Sequence, residues 1–168
     1  MRTTLSYAAV RRQIRRQHFA VLSTTDGADR PASAGVTYAA THSGATLYVM
    51  TRRHLQKARN IVANQRVSLV IPQARRLLWF VPPATIQLTG RAAVIDWTDS
   101  EAVSVFSNFW LGREILSSYR RLHAAGENRI AFLRIELDPV IHTYMVDTPV
   151  WRIRNHMEAG ASTVVRFE

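Results

Sequence analysis

Phe19-Ala20-Val21-Leu22-Ser23-Thr24-Thr25-Asp26-Gly27-Ala28-Asp29-Arg30-Pro31 sets the fold class of this chain. Its first seven residues read as a strand, Asp26-Gly27 is a turn signal, and Arg30-Pro31 opens the next segment. Residues 33–40 are then a second strand. His42-Ser43-Gly44 turns the chain into a third strand at 46–51. These are hairpin spacings with no room for crossover helices, so neighbouring strands run antiparallel.

Upstream, Thr3 or Thr4 would cap a helix to about residue 17, with Leu5, Ala8, Ala9 and Ile14 at helical spacing. Downstream, a helix is expected over about 55–63. A fourth strand follows at 66–71, closed by Pro72. Residues 73–83, with Trp79 and Phe80, read as a loop or lid that either walls a substrate pocket or packs on the strands. A fifth strand spans 84–96, with Gly90 as a bulge or a point of close approach. Asp96 or Asp99 caps a helix to about 122, broken near Gly112. Residues 128–137 form a sixth strand, Pro139 marks a bend, and 140–146 form a seventh. The tail, 151–168, is amphipathic with no defined element. Strands in hairpin order with few helices point to an antiparallel barrel or sandwich. The edges of such a sheet favour closure or pairing in a dimer.

The 168 residues are expected to form one domain, 1–168, and 47% hydrophobic content is that of a globular chain. No run approaches the ~20 apolar residues of a membrane span. The first 16 residues lack an apolar core, so no signal peptide is expected and a cytoplasmic location is. The absence of cysteine excludes disulfides and thiolate chemistry. A net charge of +10 invites a nucleic-acid reading. The arginines, however, are spread along the chain in pairs and form no dominant block. A small polyanionic ligand needs only a few of them.

The glycines are too far apart for a GxGxxG fingerprint or a phosphate loop. No GxSxG elbow is present. The histidines show no metal-binding spacing, and the acidic residues read as turn and helix-start residues. No side chain is assigned as a catalytic acid, base or nucleophile. Any enzymatic activity would therefore rest on a bound organic cofactor.

Lys57 is the only lysine among 22 basic Lys and Arg residues. It stands in Thr51-Arg52-Arg53-His54-Leu55-Gln56-Lys57-Ala58-Arg59-Asn60-Ile61, a strand end, a cationic turn and a first helical turn. Free N–H groups at the helix start, with Arg52, Arg53 and Lys57, make a phosphate seat.

Residues 33–90 carry a resemblance. Their order is an x-Pro-x-Ser strand, a Gly turn and a Leu-Tyr-x-x-Thr strand end. A basic turn follows, then Lys-Ala-Arg-Asn-Ile, Asn-x-Arg-Val-Ser-Leu-Val-Ile and a later Leu-Thr-Gly-Arg-Ala strand. The chain resembles the pyridoxamine 5′-phosphate oxidase-like family, the flavin-binding split barrels. The likeness is good from 19 to 96 and densest from 51 to 71.

The resemblance implies a mainly β (α+β) fold: a split antiparallel β-barrel with Greek-key connections and a few flanking helices. It also implies a homodimer with FMN bound at the interface and hydride transfer to or from a small-molecule substrate. Positions matching Met50, Thr51, Arg52 and Arg53 run beside the flavin, and those matching Gln56 and Lys57 grip its phosphate. Val36 and Thr37 match residues along the ring or ribityl chain. Thr85 matches a residue that approaches the ring, and Trp151 is the aromatic residue expected to close the site.

Two positions depart from the pattern. Ala34 stands where oxidases of pyridoxamine phosphate carry arginine, and Thr85 where they carry glutamine, so that substrate is not expected. Related proteins use a deazaflavin coenzyme (factor 420), whose acidic tail suits a cationic chain, or bind haem, for which His18, His142 or His156 would be the axial ligand. The same Thr51–Lys57 segment would equally serve a non-catalytic flavin or haem carrier. A basic nucleic-acid-binding barrel would need the charge without that segment.

Overall fold

A computed structural model describes residues 5–73, 83–146 and 160–166. The elements in chain order are α1 (Tyr7–Arg16), β1 (Phe19–Thr25), β2 (Pro31–Ala40), β3 (Thr46–Arg52), α2 (Gln56–Ala63), β4 (Arg66–Gln73) and β5 (Ala84–Asp96). They continue with α3 (Ser100–Ser107), α4 (Trp110–Ala124), β6 (Ile130–Leu137), β7 (Val140–Tyr144) and β8 (Ala161–Val165).

β1, β2 and β3 form a meander, and β4 returns beside β1, the spatial order 4-1-2-3 of a Greek key. β3 pairs with β6, β6 with β5, and β5 with β4. The ring of six antiparallel strands is thereby closed, as the split-barrel resemblance implies. β5 serves two partners along one edge: Gly90–Asp96 faces β6, while Thr85–Gln87 faces β7. Gly90 pairs with Leu137 and Gln87 with His142, so two residues are extra on the β6–β7 side, at Asp138-Pro139. The bend expected at Pro139 is this offset.

Inward and outward residues alternate along β4 and β5, but β4 does not close at Pro72 as expected: Pro72 pairs with Thr85 and the strand runs on to Gln73. Val10 and Ile14 of α1 and Ala58 and Ile61 of α2 join the barrel core. A second core lies outside the barrel, where Ala39, Tyr48, Met50 and Phe132 pack under Ala102 and Phe106 of α3 and Leu116 of α4. β3 is consequently buried on both faces.

Four other expectations shift. α1 begins later than expected: Ser6 is its cap and accepts a hydrogen bond from the Ala9 amide. The long helix breaks at Asn108-Phe109, before Gly112. Gly112 instead lets α4 close on α3, since a Cβ there would stand 2.1 Å from the Phe106 carbonyl oxygen. β7 stops at Tyr144 because Met145 has a positive φ of 59°. The tail contains a strand, β8, paired with β7. Gly90 is a close approach: its Cβ would lie 2.2 Å from the Glu136 carbonyl oxygen. Residues 74–82, with Trp79 and Phe80, and Trp151 lie outside the described residues.

Candidate functional site

Two cavities meet at Lys57. One, of about 200 Å³, is lined by Gly35, Val36 and Thr37 of β2, Val49 and Met50 of β3, Phe106 of α3, Ile115 and Tyr119 of α4, and Lys57. The other, of about 220 Å³, is lined by Leu22, Thr24, Ala32, Ser33, Ala34, Leu55, Gln56 and Lys57. The first is lined by the apolar side chains of Val36, Val49, Met50, Phe106 and Ile115, with Thr37, Lys57 and Tyr119 as the polar ones. The second opens at the start of α2, where the small residues Ala32 and Ala34 leave room.

Lys57 is half-buried, and burial lowers its pKa from the ordinary 10.5. It makes no ion pair or hydrogen bond with any described residue. It also stands in the first turn of α2, whose N-cap, Leu55, supplies no side-chain hydrogen bond and whose first turn holds no acidic residue. A cation at that end opposes the helix dipole, and the first amides of the helix lack intrahelical acceptors. An anion seated there removes both penalties.

At the end of β3, the Thr51 hydroxyl oxygen is buried without a hydrogen-bond partner among the described residues, and so is Nε of Arg52. Arg52 Nε lies 3.9 Å from a Glu127 carboxylate oxygen. Hydrogen bonds from the side chain and backbone amide of Arg129 lower the Glu127 pKa to about 2, so this carboxylate stays charged. Buried polar atoms without partners are rare and call for a ligand or a mobile neighbour.

The structure gathers Val36, Thr37, Met50 and Lys57 around the first cavity and Gln56 and Lys57 around the second. Thr51 and Arg52 follow Met50 on the same strand without lining either cavity. Arg53 is exposed, and its amide donates to the Arg129 carbonyl at 2.7 Å. Thr85 pairs with Pro72 and Tyr144 and lines neither cavity. Phe106, Ile115 and Tyr119 are absent from the sequence-based set. Their spacing reads as an ordinary apolar helix face, and nothing in it says which strands that face will cover. Among the described residues no histidine lines either cavity. His18 is stacked on Phe109 with ring centroids 3.8 Å apart, and His142 Nδ1 is 3.2 Å from the Thr163 hydroxyl.

Solved structures share this architecture. HutZ, the haem storage protein from Vibrio cholerae, aligns with a TM-score of 0.62 at 14% identity, over 82% of this chain and 94% of that one. The haem binding protein from Mycobacterium smegmatis gives 0.69 at 14%, over 97% and 59%. General Stress Protein 26 from Bacillus anthracis gives 0.51 at 22%, over 79% and 88%. At these identities the likeness is one of fold. Among curated proteins no match is found. The sequence model described as pyridoxamine 5′-phosphate oxidase matches residues 7–140, which covers α1 through the start of β7, and the chain belongs to that family.

Proposed function

We propose that the protein is an oxidoreductase that binds flavin mononucleotide across the two cavities and acts on a small organic substrate. The observation that carries this reading is Lys57: a half-buried cation with no partner among the described residues, at an uncapped helix start, shared by two adjoining cavities. Lys57, Gln56 and the first amides of α2 would hold the phosphate, a dianion that needs donors and positive charge. Val36, Thr37 and Met50 would meet the ring. Thr51 and Arg52 offer buried polar atoms without a hydrogen bond to any described residue, Arg52 Nε having only the longer ion pair with Glu127. When bound, the flavin would supply hydride transfer, and the chain's own part is to anchor, orient and exclude water.

A homodimer belongs to the same proposal, with a second copy covering the open side of the first cavity. No described residue of either lining offers a histidine to haem iron, and His156 lies outside the described residues.

The test is an absorbance and fluorescence spectrum of the purified protein, alone and after addition of FMN, the deazaflavin coenzyme or haemin. Bound FMN with flavin bands supports the reading. Uptake of the deazaflavin or haemin in preference to FMN replaces the cofactor. A protein that stays colourless with all of them refutes it and brings nucleic-acid binding by the basic surface forward, to be read from salt-dependent affinity.

A further inference from the structure

Tyr119 lines the first cavity from α4, opposite the strand residues Val36 and Met50. Its phenol makes no hydrogen bond with any described residue, although the ring is half-buried. Burial raises its pKa, while the nearby Arg52 charge acts in the other direction, so the phenol is neutral and able to donate at neutral pH. The two fully buried tyrosines are satisfied within the fold: Tyr38 donates to the Ile14 carbonyl at 2.7 Å, and Tyr48 donates to Glu101. A phenol on the cavity wall that no described residue engages is free to donate to a ligand bound there.

The wall that carries it is rigidly placed. Gly112 allows α4 to close on the end of α3, Phe109 stacks on His18, and Leu116 is buried in the outer core. Phe106 and Ile115 flank Tyr119 with apolar surface. A planar ligand entering between β2–β3 and α4 therefore meets Met50 on one side and Tyr119 on the other.

Resting on the flavin reading above, we propose that Tyr119 is a further ring-contacting residue of this site: its aromatic ring lies against the flavin ring, and its hydroxyl donates to a polar atom on that ring's edge. The helical pair α3–α4 thus supplies one face of the cofactor site from within the same chain.

The experiment uses the full chain with FMN as probe and compares the unaltered protein with Tyr119→Phe, Tyr119→Trp and Lys57→Ala. Tyrosine and tryptophan in contact with a flavin quench its fluorescence by electron transfer, and phenylalanine does not. Tyr119→Phe is expected to bind FMN within about threefold of the unaltered affinity, as loss of one neutral hydrogen bond implies. Its bound FMN should be several-fold brighter, and Tyr119→Trp should be dark again. Lys57→Ala should lose affinity while whatever FMN it binds remains quenched. Tight binding with unchanged brightness in Tyr119→Phe, in a variant with an unaltered melting curve, overturns the inference and leaves the phosphate reading standing. Failure of the unaltered protein to bind FMN overturns both.

Discussion

α3 and α2 begin in opposite ways. At the start of α3, the Asp99 carboxylate accepts from the Ala102 amide at 2.9 Å, and Glu101 places a second negative charge in the first turn. Glu101 also accepts the Tyr48 hydroxyl, tying the helix to the barrel. Every feature matches the positive end of a helix dipole. At the start of α2, the cap is Leu55, no acid is present, and the charge in the first turn is Lys57. A chain that closes one helix start so completely has left the other open, and the open one faces two cavities. On the proposed function, the difference separates a helix start that serves the fold from one that would serve a ligand.

Lys57→Ala strikes this contrast hardest. Loss of a hydrogen-bonded charge is expected to weaken FMN binding by about 1.5–3 kcal/mol, or roughly 10–150-fold in Kd. Isothermal titration measures it, with Arg121→Ala as control. Arg121 is exposed on α4 and bonded to Ser117 and Ser118, so its loss should leave affinity unchanged.

Alkaline pH should remove part of the same contribution. Burial holds the Lys57 pKa below 10.5, and its charged form binds the anion. FMN affinity is therefore full below that lowered pKa and falls as pH rises through it. The ligand-free fold responds the other way: between the lowered pKa and 10.5 the unfolded chain binds more protons, so stability rises with pH in that window. Titrations of FMN at neutral and strongly alkaline pH check the first sign, and denaturant midpoints of the free protein check the second. Lys57→Arg should flatten both.

A gentler change makes α2 resemble α3. Leu55→Asp supplies a cap and a negative charge, and is expected to stabilise the free protein by about 0.5–1 kcal/mol. The same carboxylate competes with the phosphate, so FMN affinity should drop several-fold. The reciprocal change, Asp99→Ala, should cost about 1 kcal/mol in a denaturation curve and leave FMN affinity alone.

The barrel is legible in the sequence because it is written in local chemistry. β1 and β5 fall where their alternation and turn residues put them, and Asp26 closes the β1–β2 turn by accepting the Ala28 and Arg30 amides. The proposed phosphate seat is legible for the same reason, since Gln56 and Lys57 stand after a strand, a turn and a helix start that the structure contains. The wall opposite is not. Tyr119 comes to share a cavity with Met50 only because α3–α4 folds back across β3, and that return is set by Gly112 and Phe109 packing, far from β3 in the chain. β8 leaves little trace because it is a five-residue edge strand whose pattern is mostly exposed, and only its pairing with β7 defines it. Thr85 is set beside the ring only by the resemblance, and in the fold it pairs with Pro72 and Tyr144 and lines neither cavity of the single chain.

The sharpest single measurement compares FMN with riboflavin, which has the same ring and lacks the phosphate. If Lys57 and the open start of α2 form the anion seat, FMN binds about tenfold or more tightly than riboflavin, as a charge-assisted hydrogen bond implies, and Lys57→Ala brings the two affinities together. Equal affinity of the unaltered protein for both would show that the phosphate is not held there, and that the open start of α2 serves no flavin phosphate.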